Sequence, residues 1–450
     1  MHPAARALIF LLACAVPAPA PADQPPLAEA MKRGLVGKPA AARPLSTMQW
    51  NREQRAALDK SEALMQRALR EPGLLAQYET MRERYAADDN RVFRMVFGQY
   101  LSWFQTFVGD YDAARASFSI AQVAQPDDAP APAADGFNAV AAADPILQLA
   151  RGRQAIFFNE SHSAPVTRTL TVELLAQLRA QGFDWFAAET LSPASAKDLE
   201  HGYPPASSGF YVNEPICGEM VRAALRLGYH VVAYDAEEGD SNARERAGAQ
   251  ILYDKVFKRD PAARLVVNAG FSHIQKSGAH LGGKSMAEVF HAISGIEPLS
   301  VEQTMLTEHA RSADDHPYYR AAMAAAHPNG PFVYANAAGN VWTLKPGRYD
   351  VSVFFPPQSS IDGRPDWLSL GGRRQPYALT DADCLQRFPC LVQAHYAAEG
   401  EDAVAADRVA FEAASHSRLY LFPGSYRITA LDRAGKIISE RAVHIEAATP

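Results

Sequence analysis

The chain of 450 residues has no excess of basic residues: 44 Lys and Arg stand against 50 Asp and Glu, and the formal net charge is −6. Because nucleic-acid-binding proteins carry a basic footprint, no nucleic acid is expected as a partner. The sequence also lacks an apolar run of about 20 residues, the length that a transmembrane helix needs, so no transmembrane segment is expected. Since a Gly-x-Ser-x-Gly elbow is missing too, a serine α/β-hydrolase is disfavoured.

The beginning of the chain has the features of an export signal. A weakly basic start, the apolar stretch "ALIFLLACAV" and the following Ala and Pro residues are typical of a secretory signal peptide, assigned to residues 1–22. This predicts a periplasmic or secreted protein. Cleavage before Cys14 is an alternative, and it would leave a membrane-anchored lipoprotein. Residues 23–45 are rich in Pro and Ala, which predicts a flexible tether.

Cysteine is scarce, with four residues in the whole chain. In an oxidising compartment, the short "CLQRFPC" segment makes a disulfide between Cys384 and Cys390 plausible. A zinc site at this pair is less favoured, because the loop offers no further ligands nearby. Cys217 is then expected to be a free, buried thiol.

Residues 46–123 show apolar positions at three- and four-residue spacing, which predicts helices. Within them, "LSWFQTFVGDYDAARASFSIAQ" resembles one tetratricopeptide unit. Such repeats need neighbouring copies to bury their faces, and a single copy is visible. A helical bundle packed on the next domain is therefore favoured over a peptide-binding array. Residues 124–137 are rich in Pro, Ala and Asp and predict a linker.

Two further regions follow the linker. From 138 to 330, short apolar strands alternate with amphipathic helices, which predicts an α/β domain with a mostly parallel central sheet and helices on both faces. From 331 to 450, strands are broken by Pro-Gly turns, as in "LKPGRYDV" and "LFPGSYRI". These predict a small all-β, sandwich-like module.

Polar side chains follow four strands of the α/β region. Ligands of open α/β sheets bind at the carboxyl ends of the strands, which lie side by side. We therefore expect a shared pocket in which imidazoles and carboxylates meet. The strand-end residues are Asn159, Glu160 and His162; Glu189; Asp235, Glu237 and Glu238; and Asn268, Gly270 and His273.

Over about residues 140–305, the order of these motifs resembles the superfamily that contains erythromycin esterases, ChaN-like haem-uptake proteins and Tiki/TraB proteases. The matching features are Glu-x-His with a following arginine, "GFDWFAAET", "RERAGAQIL" and "GFSHI". Two positions depart from the family pattern. Asn159 replaces the glycine of the first motif, and Gly248 replaces a methionine of the helical motif that includes Arg244, Glu245 and Ala249.

The resemblance to erythromycin esterases implies a metal-free hydrolase that cleaves an ester or amide bond of a small molecule or peptide; together with the signal peptide, this predicts an exported hydrolase. His162 would take a proton from water, oriented by Glu160 or Glu189. His273 and Arg244 would polarise the carbonyl. The residues expected to bind substrate are Arg168, Asn159, Glu245 and Asp235.

Two alternatives remain open at this stage. The resemblance to Tiki proteins implies a divalent metal held by His162, His273 and Glu160. The resemblance to ChaN-like proteins implies haem binding or metal binding without catalysis. The candidate haem ligands are His280, His316, Tyr318 and Tyr319.

Overall fold

A computed structural model describes residues 47–235 and 241–447. The predicted signal peptide, the tether, the possible anchor at Cys14, and the strand-end residues Glu237 and Glu238 lie outside the described residues. The helices are α1 (Thr47–Ala68), α2 (Leu74–Ala86), α3 (Arg91–Phe107), α4 (Tyr111–Ser117), α5 (Ala143–Ala150), α6 (Val166–Ala180), α7 (Pro215–Arg226), α8 (Ser241–Leu252), α9 (Met286–Ser294) and α10 (Pro317–Met323).

The strands form a central sheet, small two-stranded pairs and a four-stranded C-terminal sheet. They are β1 (Asn138–Ala141), β2 (Ala155–Glu160), β3 (Trp185–Ala188), β4 (His230–Ala233), β5 (Leu265–Gly270), β6 (Leu299–Glu302), β7 (Phe332–Ala335), β8 (Val351–Ser352), β9 (Ser360–Ile361), β10 (Arg364–Pro365), β11 (Gln375–Thr380), β12 (Cys390–Tyr396), β13 (Asp407–Phe411), β14 (His416–Leu421), β15 (Gly424–Leu431) and β16 (Ile437–Ile445).

The helical region, α1–α4, packs around α3. Residues of α3 from Val96 to Phe107 are buried on every side of the helix, which is the pattern of a helix at the centre of a bundle. Asn90 caps its first turn by accepting a hydrogen bond from the Phe93 amide at 2.8 Å. The aromatic rings of Trp103 and Phe107 contact Phe210 of the α/β domain. The helical region thus packs directly against the α/β domain.

The central sheet has the strand order β4-β3-β5-β2-β6-β8 and is parallel throughout. Side chains of β2 alternate between two apolar cores, as the two-residue period of a strand requires. Phe158 belongs to the core that contains Leu174 of α6. Phe157 faces the opposite side, where its ring lies 5.4 Å from that of Phe290 in α9. The predicted α/β class, with helices on both faces of a parallel sheet, is confirmed.

The α/β unit extends beyond the predicted boundary at residue 330. Strand β7 pairs antiparallel with β1, and β8 joins the edge of the central sheet beside β6. The "LKPGRYDV" segment, predicted as part of the all-β module, therefore leads into β8. Val351 of this segment pairs with Val301 across the sheet. This long-range pairing leaves no local sequence signal.

The C-terminal module has the antiparallel order β13-β12-β15-β16, with β11 and β14 forming a separate antiparallel pair. Leu379 and Leu419 of the pair share one buried core with Val392 and Ile428 of the larger sheet. This arrangement is the predicted sandwich-like module. A disulfide joins Cys384 to Cys390 inside this core, and Cys217 is a buried free thiol.

Within residues 47–235 and 241–447, no helix combines the length and the apolar character that crossing a bilayer requires.

Candidate active site

The first histidine of the site lies just after β2. The Nδ1 atom of His162 is 3.0 Å from Oε1 of Glu160, the last residue of the strand. Glu160 in turn accepts hydrogen bonds from Nε and Nη2 of Arg168, near the start of α6. All three side chains are at most 3% exposed. The ring of His162 is therefore held at one nitrogen by a buried carboxylate that is itself clamped by a guanidinium.

The charge of Glu160 determines which nitrogen of His162 is available. Burial alone would raise the pKa of this carboxyl, but Arg168 and His162 outweigh burial and lower the pKa to about 2. As an ionised carboxylate is only an acceptor, Nδ1 of His162 carries a proton and donates a hydrogen bond to Glu160. The lone pair on Nε2 is then free to act as a base.

A second histidine–carboxylate pair stands opposite the first. His273 lies in the turn after β5, and its Nδ1 is 2.6 Å from Oε1 of Glu245 on α8. Glu245 is fixed by the backbone amide of Met286, at 2.6 Å from its Oε2. Burial lowers the pKa of His273, but Glu245 and Glu189 raise it to about 9. His273 is therefore an imidazolium at neutral pH.

Glu189 joins the two pairs. Its Oε1 lies 3.9 Å from Nε2 of His162 and 3.7 Å from Nε2 of His273. Oε1 also accepts a hydrogen bond from NH2 of Arg244 at 2.9 Å, and Oε2 accepts one from the Gly270 amide. Burial raises the pKa of Glu189, but His273, Arg244 and His162 bring it down to about 2. Both imidazoles thus lie at one edge of the sheet with Glu160 and Glu189.

The cluster reaches solvent on the side of Arg244 and Asp235. Oδ1 of Asp235 accepts hydrogen bonds from Nε of Arg244 at 2.9 Å and from Nη2 of Arg244 at 2.7 Å. The side chain of Arg244 is 11% exposed and that of Asp235 is 14% exposed, whereas that of Glu189 is 4% exposed. Burial raises the pKa of Asp235 to about 6 even though Arg244 opposes the shift. A small pocket with a volume of about 10 Å³ lies here; its lining includes Glu189, Asp235, Arg244, Glu245 and His273.

Two aromatic side chains enclose His162. Tyr211 stacks on its ring at 3.8 Å between centroids and 11° between planes, and Phe271 meets it edge-on at 5.4 Å. Phe271 has a φ of 43°, a left-handed conformation that few residues other than glycine adopt. His162 is consequently 1% exposed. Neither aromatic residue was predicted as part of the site: Phe271 lies within the "GFSHI" motif without a role of its own, and Tyr211 lies outside every motif.

Gly270, three residues before His273 at the end of β5, leaves no room for a side chain. A Cβ atom at this position would lie 2.6 Å from Nε2 of His162 and 2.9 Å from Oε2 of Glu189. The φ of Gly270 is −70°, which any residue can adopt. The requirement for glycine is therefore steric: the backbone of β5 must pass directly beside the imidazole and the carboxylate.

Two residues predicted to bind substrate have other roles. Arg168 is fully buried and directs its donors to Glu160 and Glu214, the latter at 2.8 Å. Asn159 is also fully buried. It donates to the Phe271 carbonyl at 2.8 Å and accepts from the Gln303 amide at 2.6 Å. The prediction is corrected for both, since a side chain whose polar atoms are bound inside the protein cannot reach a substrate.

The predicted metal ligands do not fit one ion. Glu160 lies at the Nδ1 side of His162 and is bound by Arg168, whereas His162 faces Glu189, next to His273, through Nε2. Within the described part of the chain, the group with metal-ligand spacing is Glu245, His273 and His280. Its 2.6 Å separation between Glu245 and His273 is a hydrogen-bond length, while ligands of a tetrahedral zinc ion lie about 3.3 Å apart.

The candidate haem ligands are engaged in internal contacts. Nε2 of His316 lies 3.2 Å from Asp128. The hydroxyls of Tyr318 and Tyr319 donate to backbone carbonyls at 3.2 and 2.9 Å. His280 belongs to a different cluster, with its Nε2 3.6 Å from Glu245. Each of these four side chains therefore already has a contact inside the protein.

The elevated pKa of His273 predicts a pH-dependent stability. Because the folded pKa of about 9 lies above the ordinary histidine pKa of 6.5, the stabilisation is complete below about pH 6.5 and is lost as the pH rises through 9. We expect a loss of about 3 kcal/mol between these limits. Thermal denaturation of the wild type at pH 6 and pH 9.5 measures it. The His273→Gln variant should lose much less over the same interval; an equal loss in both proteins would contradict the assignment.

No protein-family model matches the sequence, and a comparison with curated proteins finds no match. Among solved structures, the type III effector HopBA1 is 14% identical, with 38% of this chain and 86% of that chain covered and a TM-score of 0.28. RRSP, a MARTX toxin effector domain from Vibrio vulnificus CMCP6, is 12% identical, with 57% and 64% covered and a TM-score of 0.28. A structure described as bacterial protein toxins is 11% identical, with 57% and 67% covered and a TM-score of 0.29.

Proposed function

We propose that the chain is a hydrolase that cleaves an ester or amide bond, as its motif resemblance to erythromycin esterases implies. One observation carries the proposal: His162 and His273, each bound to its own carboxylate through Nδ1, both direct Nε2 toward Oε1 of Glu189. Neither Nε2 atom has a hydrogen-bond partner within the described residues. Two oriented imidazoles with free, converging nitrogens are suited to proton transfer.

His162 is the base in this reaction. A separation of 3.9 Å between its Nε2 and Oε1 of Glu189 is too long for a hydrogen bond but allows one water molecule to contact both atoms. His162 takes a proton from that water as its oxygen bonds to the carbonyl carbon. When the tetrahedral intermediate collapses, the same proton passes to the leaving alcohol or amine. The products are a carboxylic acid and that alcohol or amine.

Arg244 and His273 are the groups that stabilise negative charge on the carbonyl oxygen. Both are cationic at neutral pH and both face Glu189 in this structure. A developing oxyanion at the cavity would compete with Glu189 for these donors. In a site with little water, such fixed charges stabilise the transition state more than they would in solution.

Export of the protein is a further part of the proposal. The signal-peptide pattern at the start of the sequence predicts a periplasmic or secreted location. The disulfide between Cys384 and Cys390 supports it, because disulfides persist mainly in oxidising compartments.

Chelation tests the metal-free mechanism. We expect hydrolysis of a panel of 4-nitrophenyl esters and fluorogenic peptides to remain within about twofold after prolonged dialysis against EDTA, because proton transfer by His162 needs no metal-bound water. Elemental analysis of the same sample accompanies the assay. One transition-metal ion per chain, with activity lost on its removal and restored on its return, would overturn the metal-free proposal in favour of a metal-dependent hydrolase.

A further inference from the structure

The helical region reaches the active site through a chain of buried hydrogen bonds. The hydroxyl of Tyr111, the first residue of α4, donates to Oε1 of Glu214 at 3.1 Å. Oε2 of Glu214 accepts a hydrogen bond from Nη1 of Arg168 at 2.8 Å. Arg168 donates to Glu160, which binds Nδ1 of His162. Four consecutive contacts thus connect a helix outside the α/β domain to the proposed base.

Glu214 is the second residue in this series of hydrogen bonds. It is fully buried and caps α7, accepting hydrogen bonds from the amides of Ile216 at 3.0 Å and Cys217 at 2.8 Å. Arg168 therefore lies between two buried carboxylates, Glu160 and Glu214. A buried carboxylate needs most of its acceptor capacity satisfied. The hydrogen bond from the Tyr111 hydroxyl therefore affects the strength of the hydrogen bond between Glu214 and Arg168.

The same helical region also holds the ring that covers His162. Trp103 of α3 contacts Tyr211 edge-on at 5.8 Å between centroids, and Tyr211 stacks on His162. Phe104 and Phe107 pack against the neighbouring Phe210 at 6.1 and 5.1 Å. The orientation of the imidazole thus depends on the helical region from two directions, through a polar chain at Nδ1 and through an aromatic contact on the ring face.

We propose that Tyr111 and Glu214 are positioning residues for His162, so that the helical region is an integral part of the active centre and not a separate binding module. The inference rests on the proposed function only in taking His162 as the base. The hydroxyl of Tyr111 keeps Glu214 satisfied, which leaves Arg168 bound to Glu160 by two donors. That clamp keeps Glu160 in line with Nδ1. Loss of the hydroxyl lets Glu214 and Glu160 compete for the guanidinium, and the imidazole loses its fixed orientation.

The Tyr111→Phe variant tests this with two measurements. On 4-nitrophenyl acetate we expect kcat to fall about tenfold with KM unchanged, since a misplaced base affects the chemical step and not binding. In 1H–15N spectra of labelled protein, the Nδ1 proton of His162, identified by its loss in His162→Gln, should shift and exchange faster. Tyr100→Phe is the matched control, because the Tyr100 hydroxyl is equally buried in the helical region and has no hydrogen-bond partner there. It should leave both readouts unchanged.

The outcomes separate this inference from the proposed function. An unshifted Nδ1 proton in Tyr111→Phe would overturn the positioning role, even if kcat fell. If the wild type hydrolyses no probe, the proposed function fails, and the Nδ1 proton alone decides the inference. If Tyr111→Phe does not fold, Glu214→Gln serves in its place, since it keeps the shape of the side chain but removes its charge. A normal Nδ1 signal in that variant would likewise overturn the inference.

Discussion

Replacing His162 by alanine is expected to lower kcat for ester hydrolysis at least about a thousandfold, within the range by which a positioned general base contributes. The fold should survive the change. Glu160 keeps its hydrogen bonds to Arg168 when the imidazole is removed, so no buried charge is left without a partner. Initial rates on the best ester of the panel measure kcat, and thermal denaturation followed by circular dichroism measures the folded state.

His309→Ala is the matched control for this experiment. Nδ1 of His309 lies 3.0 Å from Oδ1 of Asp315, the same separation as between His162 and Glu160, but the pair lies outside the active site. The loss of the His309 side chain should leave kcat for ester hydrolysis unchanged. Retention of full activity in His162→Ala, with a folded protein, would place the chemistry on another residue.

Gly270→Ala is expected to have the second large effect. The new methyl group would lie 2.6 Å from Nε2 of His162 and 2.9 Å from Oε2 of Glu189, closer than carbon atoms approach such groups in folded proteins. Because both partners are buried at strand ends, they must move apart. We expect kcat to fall about a hundredfold and the free energy of unfolding to fall by about 1 to 3 kcal/mol, the usual cost of overpacking.

Chemical denaturation with urea and the ester assay measure these two effects. Gly152→Ala provides the control, since a Cβ at Gly152 meets no atom within 4 Å and its backbone φ is not in the left-handed region. That variant should match the wild type in both measurements. If Gly270→Ala also matched it, the close approach of β5 to the imidazole would not exist in solution.

The site could be predicted from the sequence to the extent that strand ends define it. Glu160, Glu189, Asp235 and His273 each follow a short apolar strand, and a parallel sheet brings its carboxyl ends to one edge. Their convergence therefore required no knowledge of packing.

The partners of these residues could not be predicted in the same way. Arg168 and Asn159 also lie near the strand edge in sequence, yet their side chains turn into the protein toward Glu214 and Gln303. Their direction is set by the buried groups that must be satisfied on neighbouring elements, and the sequence does not specify which elements these are. Glu245 was identified as a site residue, but its binding to His273 emerged only from the packing of α8 against the turn after β5.

The sequence by itself determined the α/β architecture, the sandwich-like character of the C-terminal module and the strand-end positions of the acidic and imidazole groups, because hydrophobic periodicity and strand polarity are local properties of the chain. Only the tertiary structure decided where the α/β unit ends, which side chains enclose His162, and that hydrogen bonds connect Tyr111 to His162. These depend on contacts between segments far apart in the sequence, such as the 103 residues between Tyr111 and Glu214, and no local pattern encodes such a pairing.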